Sequence, residues 1–173
     1  MARGDFAAGA GQDRRGQPRC VRTGKAGLSG GGVRAVNVKQ LSVFIENKTG
    51  RVSEVSEVLG AAGVNIRGFS VSDTADYGIV RLVVDDPEAA QKVLGEAGFT
   101  VKVSDVICMN LPDRPGGLAE ILKIVSDAGV NIEYVYSLIS TYAVINVADI
   151  DRALALLKDK PVQLVTQEEI ARI

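Results

Sequence analysis

A stretch of the chain occurs twice. The segment NKTGRVSEVSEVLGAAGVNI, Asn47 to Ile66, returns as DRPGGLAEILKIVSDAGVNI, Asp113 to Ile132, at a constant offset of 66 residues. Gly50/Gly116, Glu54/Glu120, Ala62/Ala128, Gly63/Gly129, Val64/Val130, Asn65/Asn131 and Ile66/Ile132 are identical pairs. A repeat of this kind restricts the chain to two copies of one supersecondary unit. Within each copy the apolar residues, Val52, Val55, Val58, Leu59, Ala62 and then Leu118, Ile121, Ile124, Val125, Ala128, follow the i, i+3, i+4, i+7 spacing of a helix with one buried stripe. Alternating apolar positions precede each helix, at Leu41-Val43-Ile45 and Ile107-Met109-Leu111, as in a strand, and Gly63 or Gly129 stops each helix.

The order continues in parallel. Val64–Val71 and Val130–Ile139 predict second strands, and Gly78–Val84 and Tyr142–Val147 predict third strands rich in β-branched residues. Asp86-Pro87 supplies a cap and a first-turn proline for a helix over Glu88–Leu94, and Asp149 or Asp151 opens the matching helix over Arg152–Leu157. Phe99-Val101-Val103 and Val162-Leu164 close the two copies as fourth strands, and Gln167–Ile173 predicts a short terminal helix. The fold class is α+β: two tandem ferredoxin-like βαββαβ units, each an antiparallel sheet with its helices on one face. The units are residues 36–103 and 104–173. Only Ser104-Asp105 separates them, so they are expected to be rigidly coupled edge to edge in one continuous sheet, an arrangement expected to bring the two βα turns near a shared interface.

Composition narrows the chemistry. Histidine is absent, which removes the commonest general base, the Ser-His and Cys-His nucleophile pairs, and imidazole metal ligation. Cys20 and Cys108 are the only cysteines, so neither a disulfide framework nor a thiolate metal cluster is suggested, and a reducing cytoplasm is the expected location. Cys108 sits in an apolar run and is expected to fill core. No run of about 18 apolar residues predicts a membrane span. Residues 1–35 carry seven basic and two acidic side chains, a net of +5, with scarcely a large apolar group; they are expected to form a disordered basic tail. The remaining 138 residues then sum to −6, which disfavours nucleic acid as a partner. An enzyme is not expected, since the chain shows no phosphate loop, metal cluster or nucleophile elbow, and no cofactor is implied.

The paired motifs resemble the ACT domain family of amino-acid-binding regulatory modules, in particular small stand-alone proteins made of two such units. The resemblance runs from Val38 to about Val165. It is carried by Glu46-Asn47-Lys48-Thr49-Gly50-Arg51-Val52 with Gly63-Val64-Asn65-Ile66, and by Leu111-Pro112-Asp113-Arg114-Pro115-Gly116-Gly117-Leu118 with Gly129-Val130-Asn131-Ile132. It implies that the polar residue before each βα turn and the Asn opening each second strand hold a free amino acid between neighbouring units. The candidate site is then Asn47, Lys48, Thr49, Gly50, Arg51, Val52, Asn65 and Ile66 in the first copy. In the second it is Asp113, Arg114, Pro115, Gly116, Gly117, Leu118, Asn131 and Ile132. The second copy departs from the pattern, with Asp113 where the first has Asn47; an ionised carboxylate only accepts hydrogen bonds, whereas an amide also donates.

Such a turn suits an amino acid for general reasons. Glycine lets the backbone approach a ligand closely, and the unpaired N–H groups opening a helix present partial positive charge to a carboxylate. Asn47 or Asp113 and Asn65 or Asn131 offer acceptors to an ammonium, and Lys48, Arg51 or Arg114 could meet a second acid. The same residues also serve structure alone: Asn47 and Asp113 as helix caps, the glycines in tight turns, and Asn65 or Asn131 tying a strand end. Two functions follow. In the first, an amino acid shifts assembly, with a homodimer expected, or alters a regulated partner protein. The alternative is an assembly module that binds no ligand, with RNA binding through the sheet and tail a weaker rival.

Overall fold

The structure, a computed structural model, describes residues 36–74, 76–139 and 141–172. The expected tail over residues 1–35, with Cys20, lies outside them. The elements follow the repeat. In the first copy they are β1 (Asn37–Glu46), α1 (Arg51–Ala61), β2 (Ile66–Asp73), β3 (Tyr77–Val84) and α2 (Pro87–Glu96). A long strand, β4 (Thr100–Asn110), comes next, and then α3 (Gly117–Asp127), β5 (Ile132–Ser137), β6 (Tyr142–Val147), α4 (Ile150–Leu157), β7 (Gln163–Val165) and α5 (Gln167–Arg172). The helix starts have local causes: Asp86 accepts from the Ala89 N–H and Asp149 from the Arg152 N–H, both at 3.0 Å.

The strands form one antiparallel sheet in the order β2-β3-β1-β4-β6-β5, with β7 also paired to β4. The fourth strand of the first half and the first strand of the second are not separate. They are one strand, because Ser104 and Asp105 extend the ladder instead of turning it: Ser104 pairs with Gln40, and Asp105 with Lys39, to which it is also joined by a 2.8 Å ion pair. Residues Thr100–Ile107 of β4 pair with β1, and Ile107–Asn110 pair with β6.

Alternation along these strands sorts the side chains onto two faces. Leu41, Val43, Ile45, Val80 and Leu82 pack with Val55 and Leu59 of α1 and Ala90 and Leu94 of α2. Ile107, Met109 and Ile145 pack with Ile121 and Val125 of α3 and Ala153 and Leu157 of α4. The opposite parity, Val38, Val83, Val106, Cys108, Val144 and Val165, forms a third cluster that takes in Ile170 of α5. So α5 covers the face opposite to the other four helices. It is bound to the first half, with Gln167 accepting from the Lys39 N–H at 2.9 Å and donating to the Val84 carbonyl at 3.0 Å.

On that face the sheet curls until its ends meet. Gln40, fully buried on β1, donates to the Tyr134 hydroxyl and accepts from the Tyr136 hydroxyl, both at 2.8 Å, although two strands lie between β1 and β5. The Arg81 guanidinium lies 4.3 Å from the centre of the Tyr134 ring. Burial pushes the Tyr136 phenol up.

Burial likewise pushes the Cys108 thiol up from 9.0 to about 12. Native protein at pH 8 is expected to leave Cys108 unmodified by iodoacetamide while denatured protein alkylates it, as read by site-resolved mass spectrometry. The linked stability has a definite sign. Between pH 9 and 12 the unfolded thiol loses its proton while the folded one keeps it, so this contribution is intact below pH 9 and falls as pH rises through that window.

Candidate functional site

Both βα turns are closed by a glycine in the left-handed region, Gly50 at φ +88° and Gly116 at φ +86°, where a side chain would be strained. Each glycine stands at the N-cap of its helix, and neither helix has a side-chain cap. Asn47 and Asp113 are therefore not caps, and the first-turn N–H groups of α1 and α3 have no acceptor from that source.

The two turns differ in detail. In the first, the Asn47 amide donates to the Thr74 carbonyl at 3.3 Å, and its backbone N–H donates to the Asp76 carbonyl at 3.0 Å, binding the turn to the β2–β3 hairpin. Lys48 pairs with Glu46 at 2.8 Å; the hydrogen bond and charge of Lys48 hold the Glu46 carboxyl below the usual range. Arg51 pairs with Glu54 and lies over the Phe99 ring. Thr49 is exposed between Lys48 and Gly50. Glu46, Asn47, Lys48, Asp76 and Tyr77 surround a hollow of about 340 Å³.

In the second turn Gly117 is buried, and a Cβ there would lie 2.1 Å from the Pro112 carbonyl oxygen. The equivalent residue of the first turn is Arg51, so this close approach belongs to the second turn alone. Arg114 pairs with Glu120, which leaves Asp113 exposed and with no hydrogen bond or ion pair among the described residues. Leu111, Pro112, Asp113, Arg114, Pro115, Leu118 and Thr141 line a hollow of about 410 Å³, within the range of small-ligand sites. Thr141, from the β5–β6 connection, was not foreseen; the backbone bond from Leu111 N–H to the Thr141 carbonyl, 2.8 Å, and a hydrogen bond from its hydroxyl to Asn110 bring it there.

The strand-opening asparagines stand elsewhere. Ile66 pairs with Val84 and Glu46 with Tyr77, so Asn65 and Asn47 are separated by the length of β3, roughly 20–25 Å. Asn65 is held by Asp85, whose carboxylate accepts the Asn65 N–H at 2.9 Å. Asn131 takes the same place before Ile132, which pairs with Val147. A site that uses both an asparagine and a turn must draw them from different halves or different copies. Nor do the turns converge within the chain, contrary to expectation. The first lies beyond the Phe44–Thr100 pair and the second follows Asn110, so the length of β4, roughly 30 Å, separates them.

Val52 and Ile66 border a third feature. This is an apolar groove of about 600 Å³ between α1, β2 and residues 137–139 of the second half. Among the described residues no group of three His, Cys, Asp or Glu could hold a metal ion, and no helix is long and apolar enough to cross a membrane.

A family model described as an ACT domain pair matches residues 36–173. Protein BT0572 from Bacteroides thetaiotaomicron is 38% identical, with a TM-score of 0.75 over 80% of this chain and 98% of that one. The ligand-free regulatory subunit of aspartate kinase from Thermus thermophilus shares the fold at 16% identity and a TM-score of 0.53, over 71% of this chain and 89% of that one. The alpha and beta subunits of aspartokinase share it at 13% identity and a TM-score of 0.51, over 70% and 90%. No curated protein matches the chain.

Proposed function

The chain belongs to the ACT domain pair family, and on that premise we propose that it is a non-catalytic regulatory protein of the cytoplasm whose second βα turn takes a free amino acid. The observation that carries this reading is Asp113, an exposed carboxylate with no partner among the described residues, beside a 410 Å³ hollow and ahead of an uncapped helix. The ligand's carboxylate would meet the first-turn N–H groups of α3, its ammonium Asp113, and its side chain the apolar surface of Leu111 and Leu118. The first turn is the weaker candidate, because Asn47 and Lys48 are already engaged with Thr74 and Glu46. Residues 36–103 and 104–173 would act as the two units of the sensor, with binding favouring one packing of the pair or one assembly over another.

A second reading, an assembly module without a ligand, is favoured by Phe69, which is 66% exposed on the edge strand β2.

A melting screen against the common amino acids separates the two. A ligand present at 100 times its Kd adds about 2.7 kcal/mol, roughly 5–10 °C in Tm for an ordered core of this size. Asp113→Ala should weaken that ligand by about 1–3 kcal/mol, on the order of 5- to 150-fold in Kd, with the unliganded Tm nearly unchanged. A screen with no shift for any amino acid, or an Asp113→Ala protein with unaltered Kd, rejects the second turn as the site.

A further inference from the structure

The β5–β6 connection borders two cavities at once. Its Leu138 and Ile139, with Ser137 at the end of β5, wall the 600 Å³ groove against α1 and β2, while Thr141 walls the 410 Å³ hollow at the second turn. Backbone bonds tie these walls together. The Leu138 N–H donates to the Tyr142 carbonyl at 2.7 Å, the Leu111 N–H donates to the Thr141 carbonyl at 2.8 Å, and the Thr141 hydroxyl donates to Asn110.

Against β2 the fit is close. Leu138 is almost wholly buried and lies against Gly68 of β2, where an added Cβ would be 2.0 Å from Leu138 Cδ2. A leucine displaced from such a contact moves to another discrete rotamer, with the groove beside it as the space available. A shift of Thr141 at the second turn has a backbone path to the Leu138–Gly68 contact, through Tyr142, and the same path runs in reverse.

We propose that the backbone bond joining Leu138 to Tyr142, the neighbour of Thr141, is a mechanical link between the second-turn hollow and the contact by which the second half closes on β2 of the first. Its use in sensing rests on the ligand reading above; the link itself does not. A ligand touching Thr141 and Leu111 would hold the connection where Leu138 sits over Gly68. By reciprocity, whatever holds Leu138 there favours the ligand to the same extent.

Methyl NMR on the full chain, labelled at Leu and Thr and free of ligand, tests the link. Gly68→Ala forces Leu138 aside. The methyl resonances of Leu138, and with them those of Thr141, Leu111 and Leu118, should move by more than a linewidth, while Leu154 and Leu157 in α4 stay in place. If Leu138 moves and Thr141 and Leu111 do not, the link is absent. Should Gly68→Ala lose its dispersed spectrum, Leu138→Ala replaces it: displacement of the Thr141 methyl supports the link and an unmoved Thr141 overturns it. Because no ligand is added, this outcome is independent of the melting screen.

Discussion

Ile107→Ala is expected to weaken both halves of the molecule together, by about 2–5 kcal/mol, in a single unfolding transition. Ile107 is fully buried among the residues that α3 and α4 cover, and its backbone is the one position of β4 that pairs on one side with β1, at Asn37, and on the other with β6, at Ile145. The lost side chain leaves a cavity in the second half. The shared strand should carry the loss into the first, since β1 cannot keep its register on a β4 whose other end has come apart. Hydrogen exchange checks this, with protection at residues 41–45 and 143–147 expected to fall by the same factor. Protection lost in 143–147 alone would mean that the halves unfold separately.

Gln40→Leu should follow closely, at about 2–4 kcal/mol, despite the similar volume. It removes the acceptor of the Tyr136 hydroxyl and the donor to the Tyr134 hydroxyl, and each polar group left unpaired where water is scarce costs about 1–3 kcal/mol. The decisive comparison is the triple variant Gln40→Leu, Tyr134→Phe, Tyr136→Phe. Removing both tyrosine hydroxyls along with Gln40 leaves Ser42, which accepts from the Gln40 amide at 3.2 Å, as the one remaining partner, and should recover at least half of the loss, as read by urea midpoints at constant slope. A triple variant less stable than Gln40→Leu would show that the tyrosine hydroxyls are satisfied elsewhere, and that the Gln40 bonds contribute little.

The parts of the structure that could be read beforehand are those governed by short-range pattern. The stripe of Val55 and Leu59 and its copy at Ile121 and Val125 placed α1 and α3, because a helix needs only its own spacing and a core to face. Asp86 and Asp149 announced their helices because a cap acts three residues away. What could not be read depends on partners distant in the chain. Ser104 and Asp105 have the composition of a turn, and become strand only because Gln40 and Lys39 wait opposite. Gln40 itself, a polar residue between Lys39 and Leu41, gives no hint of two tyrosines more than ninety residues away. The opposed placement of the two turns follows from the same fused strand. At the candidate site the turn residues were legible from the repeat, whereas Thr141 and the separation of Asn65 from Asn47 are matters of register.

A strand shared by both halves of one sheet also limits how the molecule can vary. Side chains alternate between the faces along β4, so Val101 and Val103 meet the first pair of helices and Ile107 and Met109 the second on a common parity. One added residue between them would turn the second copy inside out, sending its oily face to water. Even-numbered changes in length keep inside and outside consistent, whereas an odd one needs a bulge to absorb it, as β2 has between Ile66 and Gly68.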